Sequence, residues 1–135
     1  RARRGKPMLK FKSVYDPIDK DDGQRILATR FRGHGMKKDR YDAWMPNLGP
    51  SEKLLKGMLG GSVSWKDFTR EYKNEVLSSA EVDRKNRTIL NHGQKFTLRL
   101  IRELAEKRNV TIMCHCATDE KQCHLRVLEK IMQRV

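Results

Sequence analysis

The sequence predicts an α/β domain with a small, mainly parallel sheet flanked by helices, and three features carry that expectation. Two strand-like runs open the chain at residues 9–15 and 24–31. A third, at 109–116, follows only after a long helical stretch and is itself followed by a closing helix. Strand, helical crossover, strand and helix imply parallel pairing with helices packed on the sheet, because a parallel neighbour is reached only by a long crossover. Finally, Ile26-Leu27-Ala28 is apolar at consecutive positions, as expected of a strand covered on both sides.

The elements follow in order. Leu9-Lys10-Phe11-Lys12 alternates apolar and basic residues, the period of a half-buried strand. Asp16-Pro17 through Asp22-Gly23 supplies breakers and acidic charge, hence a turn, before the strand at 24–31. Residues 32–40 form a glycine-containing basic loop, the strongest charge cluster in the body of the chain. Ser51 is placed to cap a short helix carrying Leu54, Leu55, Met58 and Leu59 and ended by Gly60-Gly61. A second helix begins at Ser64-Trp65, with Trp65, Phe68, Tyr72 and Val76 on one inward face. Residues 80–106 read as helical with an interruption near His92-Gly93, and Phe96, Leu100, Ile101 and Leu104 form the better apolar face. The closing helix, 123–132, turns Val127, Leu128 and Ile131 to the core.

The chain has 135 residues, enough for one compact domain and too few for two self-sufficient cores. Residues 8–135 are read as that domain. The basic tail 1–7 ahead of Met8 is read as of expression or processing origin and takes no part in the functional reading. Lys and Arg number 30 against 17 Asp and Glu, a formal charge of +13. Without Arg1, Arg3, Arg4 and Lys6 the charge is still +9, from 26 bases against 17 acids. Such a body attracts polyanions, and nucleic acid is the commonest in a cell; the plainer reading is a highly charged soluble surface. No apolar run approaches the roughly 20 residues of a membrane span, so no membrane partner is expected. Cys114, Cys116 and Cys123 cluster within ten residues, which argues against a disulfide scaffold and for a reducing compartment, the cytoplasm.

Ligands of open α/β folds bind beyond the C-terminal ends of the strands. Arg30, Arg32 and His34 leave one predicted strand there, and Cys116 leaves another. Cys123 and His124 open the closing helix, whose N-terminal amides favour an anion and can lower a thiol pKa. The first expectation is therefore a protein that binds a phosphate-bearing ligand, nucleic acid or nucleotide, in a cleft of Arg25, Arg30, Arg32, His34, Lys37 and Cys116. If the cleft is catalytic, Cys123 is the best nucleophile and His124 or His34 the best acid/base; whether the protein is an enzyme stays open. The alternative is a small thiol-based metal or redox module using Cys116, Cys123 and His124. Zinc would take Cys114, Cys116, Cys123 and His124, although the spacing lacks the familiar Cys-x-x-Cys and adjacent Cys123 and His124 diverge on a helix; otherwise no cofactor is expected.

Plainer readings stand beside these. A phosphatase-type loop is disfavoured, since residues 116–122 hold no glycine and Gln122 stands where its arginine belongs. Cys114 reads most simply as a small buried hydrophobe. Arg25 is equally suited to pair with Asp19, Asp21 or Asp22. His92 complements a helix dipole, Trp44 and Trp65 read as core, and Lys37-Lys38-Asp39-Arg40 becomes a phosphate track only with Arg30 and Arg32 beside it.

One set of stations resembles a known family. These are Val14-Tyr15-Asp16-Pro17, Asp22-Gly23-x-Arg25-Ile26-Leu27, Thr29-Arg30, Gly35-Met36-Lys37-Lys38, Trp44, Pro50-Ser51 with Leu54, Phe68 with Tyr72, and Cys123-His124. In order and spacing they resemble the small bacterial and archaeal proteins of the domain of unknown function 488 family, in its YeaO-like branch, from Leu9 to the C-terminus. The resemblance implies a compact Rossmann-like domain with Arg25, Arg30 and Cys123-His124 gathered in a cleft. It implies no established reaction, although some members are labelled as related to DNA repair. The chain departs from the family pattern at Arg32-Gly33-His34-Gly35, where Trp-Pro-Arg-Gly is usual. It departs again at Leu125, where many members have arginine; Arg126 is the candidate substitute.

Overall fold

The computed structural model describes residues 7–32, 36–77, 80, 81, 90, 91, 94–116 and 120–135. The strands β1 (Leu9–Ser13), β2 (Gln24–Leu27), β3 (Ala43–Trp44) and β6 (Val110–Cys114) form a four-stranded sheet in the order β1-β6-β2-β3, every pair parallel. The helices are α1 (Glu52–Leu59), α2 (Trp65–Leu77), α3 (Lys95–Ala105) and α4 (His124–Met132). The expected α/β class is therefore the observed one. No helix among the described residues is long and apolar enough to cross a membrane.

Alternation along the strands divides the core. Ile26, Ala28, Val110, Ile112 and Cys114 face a large cluster with Phe68, Tyr72, Leu98, Leu125 and Leu128 of the helices. Val14, Leu27 and Met113 point to the other face, where Met36 and Tyr41 of a loop cover them. Every residue of β6 is buried, as a central parallel strand requires. Ser51 caps α1 by accepting from the Leu54 amide at 3.2 Å, and Ser64 caps α2 by accepting from Asp67 at 3.1 Å.

Several expectations are corrected. The strand expected at 24–31 ends at Leu27, and pairing stops after the Ala28 amide donates to Met113. Thr29 then turns the chain by donating its hydroxyl to the Phe31 carbonyl at 2.6 Å. Trp44 is not core: it lies on the edge strand β3, 40% exposed, its Nε1 donating to the Thr29 carbonyl. The first half of the helical stretch expected at 80–106 carries instead β4 (Ala80–Glu81) and β5 (Leu90–Asn91), an antiparallel pair; His92 and Gly93 lie outside the described residues. In α3 the buried face is Leu98, Ile101 and Ala105, while Phe96 and Leu100 are exposed. An apolar set at helical spacing fixes a stripe but not which neighbour covers it, and here Arg99 stacks over Phe96 in place of the core.

The N-terminal end of the sheet is fixed by charge. Asp22 is buried beneath Lys12 at 2.6 Å and Lys10 at 2.9 Å, and it also accepts from the Asp19 amide at 3.0 Å. Burial alone would raise its carboxyl pKa, but Lys12, the Asp19 amide and Lys10 outweigh burial and hold it below the ordinary value of 3.8. A carboxylate with a depressed folded pKa stabilises the fold fully above its unfolded pKa and loses that contribution as pH falls through the folded one. Asp22→Asn is therefore expected to cost about 3 kcal/mol at neutral pH by leaving two lysines over an uncharged amide. In urea unfolding, the gap between variant and parent is expected to shrink below about pH 3.8; a gap independent of pH would refute the ionic role.

Candidate functional site: a three-thiol cluster

At the C-terminal edge of the sheet the chain leaves β6 and returns as α4, with a cysteine at each end of the connection. Cys114 is the last residue of β6 and faces the helices, in register with Ser13 on β1. Cys116 follows two residues later, half-buried, and Cys123 is the N-cap of α4 and buried. The three sulfurs lie within 4.8 Å of one another, with Cys114 and Cys123 Sγ 3.2 Å apart. Period-two alternation puts Cys114 and Cys116 on one side and His115 on the other; the helix start then brings Cys123 over both.

These thiols hydrogen-bond to one another, and each shifts its neighbours' acidity. Hydrogen bonds from Cys114 and Cys123 hold the Cys116 thiol far below the ordinary range. Donation to Cys116 and Cys123, with burial, pushes Cys114 up. For Cys123 the Cys114 contact favours the thiolate, but donation to Cys116 and burial outweigh it, and the thiol is pushed up to about 11. Among the three, these directions favour the thiolate at Cys116, where two S–H donors converge, over Cys123 at the helix N-cap.

Both histidines make hydrogen bonds to partners other than the sulfurs. His124 packs edge-on against Tyr72, with ring centroids 5.7 Å apart, and its Nε2 lies 2.5 Å from the Ala28 carbonyl. Burial pushes its pKa down while the carbonyl opposes this, giving a neutral ring with the proton on Nε2. Among the described residues the possible metal ligands within 4.8 Å of one another are the three thiols, without His124. His115 bridges the rim: Nε2 donates to the Phe31 carbonyl at 3.1 Å, and Nδ1 lies 3.4 Å from the Tyr15 hydroxyl. It thereby ties together the segments that follow β1, β2 and β6. Sequence reading missed this role, and its only signal was the position between two cysteines.

The hydrogen bonds of the arginines go to groups other than the thiols. Arg25 sits low on β2, opposite Thr111, and pairs with Asp42 at 3.2 Å and the Asp39 carbonyl at 2.8 Å. Asp22 is already held by two lysines, so the expected pairing of Arg25 with the acidic turn is corrected to Asp42. Arg30 donates to the Pro50 carbonyl at 2.8 Å and the Gly49 carbonyl at 3.1 Å. A Cβ at Gly49 would stand 2.6 Å from the Arg30 amide, so only glycine permits this approach. Arg32 donates to the Met36 carbonyl at 3.3 Å, and Lys37 is exposed at the start of a 3-10 turn. His34 lies outside the described residues.

Parallel strands, helices joined to one large core cluster and a three-thiol rim define a small α/β thiol protein. The model of the family DUF488-N3a, described as the active DUF488-N3 subclade, matches residues 9–135, and the chain belongs to that family. It is similar to the uncharacterised protein YeaO of Escherichia coli, 30% identical over 122 residues that cover 89% of this chain and 92% of YeaO. It is also similar to the uncharacterised protein Rv3073c of Mycobacterium tuberculosis, 36% identical over 69 residues. That match covers 50% of this chain and 58% of the mycobacterial protein, and a Mycobacterium bovis protein, Mb3100c, matches to the same extent. No solved structure matches the chain.

Proposed function

We propose that the chain is a thiolate metal-binding protein whose centre is Cys114, Cys116 and Cys123, with zinc the first candidate among thiophilic d10 cations. The supporting observation is the mutual approach of the three sulfurs. With Zn–S bonds of about 2.3 Å, tetrahedral coordination needs sulfurs about 3.8 Å apart. The cluster is compatible with that value, with Cys114 and Cys123 3.2 Å apart and all three sulfurs within 4.8 Å of one another. Cys114 and Cys123 are buried, and the half-buried Cys116 is where a fourth ligand from outside would reach the ion. Three protein ligands with one open position is the pattern of zinc centres that act on an added ligand. Neutral His124 and bridging His115 would fix the surrounding loops without entering the coordination shell.

Reconstitution of the reduced chain with one equivalent of zinc tests this. The expected outcome is one ion per chain retained through gel filtration; zinc lost on the column refutes the reading. A second reading, a dithiol/disulfide couple, is favoured by the 3.2 Å separation of Cys114 and Cys123. It requires the sulfurs to close to about 2.05 Å. Mild oxidation that yields a Cys114–Cys123 disulfide in zinc-free chain would favour it. The phosphate reading draws little support from Arg25, Arg30 and Arg32, which donate to Asp42 and backbone carbonyls.

A further inference from the structure

We infer that the groove between α2 and α4 binds a single strand of nucleic acid, at a site independent of the thiol cluster. One stripe of α2 carries Trp65, Thr69, Lys73 and Leu77, one residue per turn. Along α4 and the turn after it, Arg126, Lys130 and Arg134 repeat at the same spacing. Between the two helices lies a cavity of about 550 Å³ whose charged lining side chains, Lys73, Lys95, Lys130 and Arg134, are all cationic. A smaller cavity of about 150 Å³ shares Lys73 and Lys130 and extends the groove to Trp65, Lys121 and Arg126. No Asp or Glu among the described residues lines either one.

These charges are not spent on internal pairing. Lys73, Lys95, Lys121, Lys130 and Arg134 form no ion pair among the described residues. Arg126 meets Glu129 at 3.3 Å, yet its Nε is buried without a partner. Six cations gathered around two joined cavities repel one another, and a ligand with repeated negative charge relieves that repulsion. Val127, Ile131 and Leu77 supply apolar lining beside the polar Thr69 and Gln133, and the groove reaches the half-buried Trp65, which stacks on Phe68 at a centroid distance of 5.4 Å. A cationic groove with an apolar, aromatic lining is how single strands are held, phosphates on the cations and bases on the π-faces. A lone nucleotide would fill one cavity; the shared Lys73 and Lys130 make a continuous track suited to several residues of a strand.

The test is anisotropy of a labelled oligo-dT of about 12 nucleotides, within the span of such grooves, titrated with the full chain at several salt concentrations. The expected result is binding whose logarithm falls linearly with log salt, by about 0.7 per phosphate contacted. In Lys73→Glu/Lys130→Glu the affinity is expected to drop at least about tenfold and the slope to flatten, whereas Lys20→Glu/Lys53→Glu, matched in charge but distant, loses less than about threefold. Equal loss in the two double variants overturns the assignment to the groove. Inorganic polyphosphate bound as tightly as the oligonucleotide overturns nucleic acid as the ligand. Cys123→Ser is expected to bind the oligonucleotide normally, so failure at the thiols and failure in the groove are read separately.

Discussion

Cys123→Ser is expected to abolish zinc retention and to remove the stabilisation that bound zinc would confer, while leaving the metal-free fold in place. In the parent chain, free zinc at a hundredfold excess over Kd stabilises the folded state by about 2.7 kcal/mol if the unfolded chain binds weakly. For a domain of this length that is a rise in Tm of roughly 10 °C. The variant keeps a hydroxyl of similar size at the N-cap of α4, a position serine itself favours, so its melting temperature without metal stays near that of the parent. What it loses is the buried sulfur 3.2 Å from Cys114, and two remaining thiolates do not hold the ion against exchange. The measurement is a pair of thermal melts, each with and without zinc. A zinc-induced rise in Tm that survives in Cys123→Ser would contradict the role assigned to this sulfur.

Gly23→Ala has the other large effect, at the opposite end of the sheet. Gly23 has φ +63°, and a Cβ there would stand 2.0 Å from the backbone oxygen of Asn109. The same Asn109 oxygen accepts the Gln24 amide that starts β2. Its side chain accepts from Met8 and donates to the Asp21 carbonyl, so the junction sets the register of β1, β2 and β6 together. Because the obstructing atom is backbone, relief requires moving a strand end rather than rotating a side chain. Left-handed strain and this displacement together are expected to cost about 3 kcal/mol or more. Chemical denaturation of the metal-free chain checks it; a loss below about 1 kcal/mol would show that the junction yields easily.

The fold was legible where local chemistry dictates the answer. Ser51, Gly60-Gly61 and the 68–72–76 stripe marked α1 and α2, and the run from Val110 to Cys114 marked the central strand. Legibility failed where tertiary partners decide. Trp44 pairs as a two-residue edge strand because Met45 donates to Leu27, a contact no propensity reveals. Phe96 and Leu100 have helical spacing, but the core takes the neighbouring stripe at Leu98, Ile101 and Ala105.

The candidate site was legible in its residue types and not in its grouping. Cys114, Cys116 and Cys123 stood out, yet their convergence depends on tertiary packing, and the His124 ring nitrogen is engaged by the Ala28 carbonyl. The arginines were placed at a strand end because β2 was expected to run to residue 31; ending it at Leu27 sends Arg30 to the loop at Gly49-Pro50. The basic groove on α2 and α4 was present as Lys73, Lys130 and Arg134 at helical spacing, but its two walls meet only once the helices pack.

Whether three sulfurs of one chain hold one ion is read by X-ray absorption at the zinc edge of the reconstituted full chain. The expected result is a shell of three sulfurs at about 2.3 Å with one lighter ligand. A shell made of nitrogen and oxygen alone, or one with a single sulfur, would contradict it.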